Sequence, residues 1–167
     1  MGRDSWSRRY TVEDCRVISI TKLKEWGYLS GISGIQLVSS YGGGIRWTNS
    51  FGEEVGSIGM HTKININGGE ICLQYSRKIF PGEYEEYDYP IKLESTPCFF
   101  GGRRWWFICC KNPDGVYCGN RVGRLYLPPN GRYFSCRHCY NLTYASCRQS
   151  RAFERMIKRM AIALGKW

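Results

Sequence analysis

Apolar and polar residues alternate with a period of two through the middle of the chain. Val55, Ile58 and Met60 lead into residues 61–67, where Ile64 and Ile66 share a face. Asn67-Gly68-Gly69 is a hairpin turn signal, and on the return Ile71, Leu73 and Tyr75 oppose Cys72, Gln74 and Ser76. A second turn at Phe80-Pro81-Gly82 leads through Glu83, Glu85, Glu86 and Asp88 to another strand, Tyr89 to Leu93. The pattern predicts an antiparallel meander closed into a small sandwich or barrel. The acidic stretch suits a solvated strand edge, where like charges discourage edge-to-edge pairing.

The flanks read differently. Residues 11–29 are expected to be helical, as one bent helix or two short ones, with Thr11 and Asp14 in a capping-box relation, Thr21 capping a second short turn over Lys22 to Trp26, and Gly27 at the end. Residues 31–52 are rich in Gly and Ser and read as loop, broken by a strand over Ile45 to Thr48. Gly42-Gly43-Gly44 is followed by neither Gly-Lys-Ser/Thr nor a helix, which argues against a phosphate-binding loop. Residues 148–165 carry the helical spacing: Phe153, Met156, Ile157, Met160 and Leu164 fall on one face. The expected class is α+β. Its parts are a helical N-terminal segment (1–30), an antiparallel β-domain (31–103), a zinc ribbon (104–147) and a basic amphipathic helix (148–167).

Length and composition narrow the choice. A chain of 167 residues has room for a modest core plus a small module, and 43% hydrophobic with 15% aromatic residues excludes a disordered chain. There is no run of 18 apolar residues and no signal peptide at the start, so a cytoplasmic protein without a membrane partner is expected. The net charge of +10 is unevenly placed. Residues 1–100 hold 11 Lys/Arg and 12 Asp/Glu, whereas residues 101–167 hold 13 and 2, a net of +11. A basic segment is the footprint of a polyanion partner.

That segment also holds most of the nine cysteines. Cys136-Arg-His-Cys139 is a C-x-x-C knuckle, and Cys118-Gly119 supplies half of an opposing one. The seventeen intervening residues include a hairpin with a Pro-Pro-Asn-Gly turn, as between the paired knuckles of a zinc ribbon. Cys109, at the end of the apolar strand Trp105 to Ile108, is the favoured first ligand and Cys110 the alternative. Four thiolates around one Zn²⁺ leave no open position, so the ion would be structural. His138 is expected to point away from the metal, and Cys15, Cys72, Cys98 and Cys147 read as small core residues.

The order W-W-F-x-C, C-G-x-R-V, L-Y-L-P and R-Y-F-x-C-R-H-C-Y-x-L-T-Y-x-S resembles a family of uncharacterised bacterial and mobile-element proteins with a C-terminal four-cysteine zinc ribbon. TVEDCRVISITKLKEWGYL and TPCFFGGRRWWF extend the resemblance over most of the chain. In that family the first knuckle is compact, with Pro after the first Cys. Here Cys110 and an insertion stand in its place. The resemblance implies the zinc site and no particular activity.

Function follows from the basic surface. Arg121, Arg124, Arg132 and Arg137 lie on the ribbon among Tyr117, Tyr126, Tyr133, Tyr140 and Tyr144. Arg148, Arg151, Arg155, Lys158 and Arg159 lie on the final helix. Guanidinium groups pair with phosphate and tyrosines stack on bases, so nucleic-acid binding is expected, with DNA ahead of RNA. The alternative is a protein adaptor docking through Phe153, Met156, Ile157 and Met160. No motif for nucleophilic, deaminase or paired-carboxylate chemistry is present, so the chain is not read as an enzyme. A metal-dependent nuclease at Glu83, Glu85, Glu86 and Asp88 is the enzymatic alternative.

Overall fold

The central alternation builds one antiparallel meander. In a computed structural model the described residues are 9–29, 38–48, 51–65, 67–80, 82–110, 114–148 and 159. Six strands pair in sequence order: β2 (Val38–Thr48), β3 (Glu54–Asn65), β4 (Gly68–Phe80), β5 (Glu83–Pro97), β6 (Arg103–Ile108) and β7 (Arg121–Val122). A second sheet pairs β1 (Arg16–Ser19) with β8 (Arg124–Leu127). Among the described residues between β1 and β2 lies one short helix, α1 (Ile20–Glu25).

β3, β4 and β5 pair as successive hairpins, with Asn65 opposite Gly68 and Phe80 opposite Glu83; Gly68 and Gly69, expected in the first turn, already belong to β4, and Pro81 of the second lies outside the described residues. The Asn65 side-chain oxygen accepts the N–H groups of Asn67 at 2.9 Å and Gly68 at 3.0 Å, an Asx-type closure of the first. The register then sets Ile71 against Ile91, and Leu93 against both Gly69 and Phe107. Every second residue faces inward: Ile58, Met60, Thr62 and Ile64 on β3, Ile71 and Leu73 on β4, Ile91 and Leu93 on β5, Trp105 and Phe107 on β6. Ile18 of β1, Leu23 of α1, Leu125 and Leu127 of β8, and Phe134 close the open side of the curled sheet. Each such apolar side chain removed from water contributes about 1.5–3 kcal/mol before chain entropy is counted. The acidic half of β5 pairs with β4 alone among the described strands, so it forms a sheet edge.

A close approach at Gly69 fixes that hairpin. A Cβ there would lie 2.1 Å from the Lys63 carbonyl oxygen and 2.7 Å from the Ile64 Cα, both backbone atoms. Gly69→Ala is therefore expected to cost roughly 2 kcal/mol or more and to lower Tm by several degrees. Thermal unfolding checks this. An unchanged Tm would show that the hairpin relaxes without cost.

The class is β-rich rather than α+β. The expected N-terminal helix is the main correction. Thr11 and Asp14 do cap each other, with the Thr11 N–H at 3.0 Å and its hydroxyl at 2.7 Å from the Asp14 carboxylate. They close only one 3-10 turn, Val12–Asp14. The β-branched Val17 and Ile18 then enter β1, and the helix is only six residues long before Gly27 (φ +82°) ends it. The second correction is the glycine run, which lies inside β2 and pairs with β3: Gly42 with His61, Gly43 with Met60, Gly44 with Gly59. Backbone pairing along an edge overrides loop propensity. Gly43 also leaves room for Tyr28, whose hydroxyl would sit 2.0 Å from a Cβ at that position. The C-terminal helix expected over 148–167 lies outside the described residues, except for the 3-10 turn Ala145–Arg148 and the single helical residue Arg159. Among the described residues no helix is long and apolar enough to cross a membrane.

Candidate functional site

Four cysteines converge where β6 ends. The sulfurs of Cys109, Cys118, Cys136 and Cys139 all lie within 4.8 Å of one another. Cys109 and Cys139 are 3.9 Å apart, Cys118 and Cys136 4.0 Å, Cys136 and Cys139 3.5 Å. Of the two candidate first ligands, Cys109 joins this group and Cys110 does not. Period two decides it: Cys109 continues the inward face of Trp105 and Phe107.

Backbone pairing holds each knuckle. The Cys109 N–H donates to the Asn120 carbonyl at 2.9 Å, and the Gly119 N–H returns to the Cys109 carbonyl at 2.9 Å. The chain thus closes around the 111–117 insertion. Gly119 sits in the left-handed region (φ +74°), which suits the turn after Cys118. At the other knuckle the Asn141 N–H reaches the His138 carbonyl and the Leu142 N–H the Arg137 carbonyl, both at 3.0 Å. The Cys136 N–H donates to the Cys109 sulfur at 3.2 Å, tying the two knuckles together. The hairpin between them is also present: Tyr126 and Ser135 exchange backbone hydrogen bonds of 2.8 and 3.0 Å, and the Gly131 N–H closes the turn on Pro128 at 2.9 Å.

The thiols cannot all ionise without a cation. The hydrogen bond from Cys109 holds the Cys136 thiol down to about 4, helped by the N–H groups of Cys139 and His138. The same interaction, with burial, pushes Cys109 up, and burial pushes Cys139 up to about 12. Four thiolates would bring four like charges together, and a cation held between them removes that penalty. The cluster can hold a metal ion, and uptake must expel at least the protons of Cys109 and Cys139. Affinity for that ion is therefore expected to rise by at least about 100-fold per pH unit near neutrality. Competition with a chelator at pH 6, 7 and 8 checks this, and a flat profile would remove the thiols as ligands.

The N-terminal segment braces this region. β1 pairs with β8, Arg16 opposite Leu127 through Ser19 opposite Arg124. The Val12 N–H donates to the Thr143 carbonyl at 2.9 Å, and the Ala145 N–H to the Glu13 carboxylate at 3.0 Å. No local signal in residues 10–19 points to a partner more than a hundred residues away.

The basic residues separate into groups. Arg121 and Arg124 are exposed on β7 and β8, and Arg137 lies with its guanidinium carbon 5.4 Å from the Tyr144 ring centre. Arg121 also reaches the Glu94 carboxylate. Arg132 is exposed on another side, beside Tyr75 and Tyr87. The side chains of Arg148, Arg151, Arg155 and Lys158, and those of Phe153, Met156, Ile157 and Met160, lie outside the described residues. Arg159 is exposed. Among the tyrosines, Tyr126 is buried, Tyr133 packs edge-on against Tyr87 and Tyr89, and the Tyr140 hydroxyl donates to the Tyr133 carbonyl. Tyr117 and Tyr144 remain exposed. His138 is exposed and outside the sulfur cluster. Of the cysteines read as core, Cys15 and Cys72 are half-buried, whereas Cys98 and Cys147 are exposed. Glu83 and Glu85 fall on the opposite face of β5 from Glu86 and Asp88, and the Asp88 carboxylate accepts a hydrogen bond from Gln74 at 2.9 Å.

Arg103, Arg104, Trp106 and Lys24 were not among the expected site residues. Arg104 and Trp106 occupy the face of β6 opposite Trp105 and Phe107, and the Arg104 guanidinium lies 4.1 Å over the Trp106 ring. Two concavities of about 420 and 380 Å³ meet at Trp106 and Gly123. Lys24, Arg103 and Arg104 line the first, and Arg121, Arg124, Arg137 and His138 the second. Neither contains a carboxylate among its described lining residues. The signal was available in the run Arg103-Arg104-Trp105-Trp106, where alternate residues share a face, so Arg104 and Trp106 must lie together opposite Trp105. Comparison with family models, with curated proteins and with solved structures gives no match.

Proposed function

We propose that the protein binds nucleic-acid backbone on the face around Trp106, with DNA as the leading candidate, and that a structural zinc ion holds that face in shape. The observation that carries the reading is the two joined concavities, lined by six Lys/Arg side chains, of which Arg121 alone is paired with a described carboxylate, that of Glu94. Six cationic side chains set the upper number of phosphate contacts at about six. Arginine predominates, as suits bidentate pairing with phosphate.

Zinc fits the donor set. Tetrahedral zinc with bonds of about 2.3 Å needs sulfurs about 3.8 Å apart. Three of the six sulfur separations, 3.5–4.0 Å, bracket that value, and all six are within 4.8 Å. When bound, the ion neutralises the thiolates and crosslinks four points of chain, and with four protein ligands it offers no site for chemistry. Arg137 and His138 lie between two of the candidate ligands, so the same knuckle also presents the Arg137 cation and the His138 ring to the second concavity.

The test is binding of zinc-loaded protein to labelled duplex DNA, single-stranded DNA and RNA across a salt series. With about six phosphate contacts the slope of log K against log salt is expected near −5 on duplex. Absence of binding at low salt would end this reading.

A further inference from the structure

The β5–β6 connection carries a feature that neither the fold nor the metal centre requires. Residues 98–102, Cys-Phe-Phe-Gly-Gly, form a closed turn: the Cys98 N–H donates to the Gly102 carbonyl and the Gly101 N–H to the Cys98 carbonyl, each at 3.1 Å. Gly101 (φ +85°) and Gly102 (φ +79°) supply the left-handed backbone that the turn needs. At its tip Phe99 is 95% and Phe100 97% exposed. Their rings touch each other edge to face, with centres 5.1 Å apart and planes at 90°. Adjacent phenylalanines left this bare by an ordered turn have no role in the core and mark a contact surface.

Charge identifies the occupant. Arg103 and Arg104 follow the turn directly, and no Asp or Glu occurs from residue 95 to residue 113. Cys98 lines the same concavity as Lys24, Arg103 and Arg104. An apolar tip set in a cationic surround fits a partner whose flat apolar faces sit on a polyanionic backbone, which describes unpaired nucleobases. We infer that Phe99 and Phe100 form a base-stacking tip that engages unpaired bases of the strand whose phosphates lie along Trp106. This rests on the nucleic-acid reading above. Because the two rings are perpendicular, one stacks on a base while the other meets the edge of that base or its sugar.

The experiment compares the full chain with Phe99→Ala/Phe100→Ala on three labelled probes: a single strand, a continuous duplex and the same duplex with an unpaired bulge. The double variant is expected to lose about 5- to 150-fold in affinity for the single strand, the range for one stacked base. Its salt slope and Tm should match the parent, because no charge and no packing are lost. Affinity for the continuous duplex should change little, and the preference for the bulge should vanish. Phe100→Tyr, which keeps a flat ring, should retain most of the binding. A double variant that binds the single strand like the parent would overturn the stacking tip and leave the basic face standing. A parent protein that binds no probe at low salt would remove both. Binding of the parent, but not the variant, to phosphatidylserine vesicles without discrimination among the probes would transfer the tip to a membrane surface and overturn the inference.

Discussion

Cys136→Ser is expected to release the metal and to unfold the part of the protein built around residues 103–148. Cys136 is fully buried, and its sulfur lies within contact of those of Cys118 and Cys139. Its N–H also bonds the Cys109 sulfur. In small zinc-dependent modules a structural metal contributes on the order of 10 kcal/mol to folding, as much as the whole stability of an ordinary domain. The strands here are too short to compensate. β7 has two residues and β8 four, and among the described strands they pair only with β6 and β1. Damage should spread, because Leu125, Leu127 and Phe134 complete the core above β3–β5. Hydrogen exchange should therefore show lost protection over 109–142 and at β1, with the β3–β4 hairpin retaining the most. Metal content by mass spectrometry should fall to background. Cys147→Ser, at an exposed position outside the cluster, should leave both readouts unchanged. Full metal content with an unchanged Tm in Cys136→Ser would refute the metal centre.

Sequence patterns revealed what is local. The period of two through Ile64, Ile71 and Leu73 gave the strands and their buried faces, because alternation is the geometry of the strand itself. Cysteine spacing gave the knuckles for the same reason, since two residues between thiols make one turn. Non-local pairing stayed hidden. Val17 and Ile18 fall within the segment expected to be helical, yet β8 supplied a strand partner more than a hundred residues later. Gly42 to Gly44 read as loop, yet β3 supplied a ladder. Lys24 lay in a near-neutral half of the sequence and escaped the charge argument, but folding sets it in a concavity with Arg103 and Arg104. Local propensity is a weak prior wherever a long strand elsewhere offers hydrogen bonds.

Charge reversal at Arg104, Arg124 and Arg137 is expected to have the second-largest effect, on binding rather than folding. The three residues sample both concavities, and none of them has an ion-pair partner among the described residues. Each lost phosphate contact removes about 0.9 from the duplex salt slope, so the triple glutamate variant should flatten it by nearly 3. Near 0.15 M salt the same loss corresponds to roughly two orders of magnitude in affinity, with repulsion adding to it. The decisive comparison is a charge-matched variant with Lys63, Lys78 and Arg132 changed to Glu. These are also exposed cations, and none of them lines the face around Trp106. If binding depended only on net charge, the two variants would weaken equally and the face would carry no meaning. A local face predicts a steep loss in the first variant and a small, parallel loss in the second, because exposed charges beyond about 8–10 Å from a phosphate are largely screened at that ionic strength. Tm for the first variant should stay within a few degrees of the parent, since the arginines are on the surface and contribute little to folding. Equal losses in the two variants would return the basic surface to a role in solubility, and the metal centre would then stand as a device for stability alone.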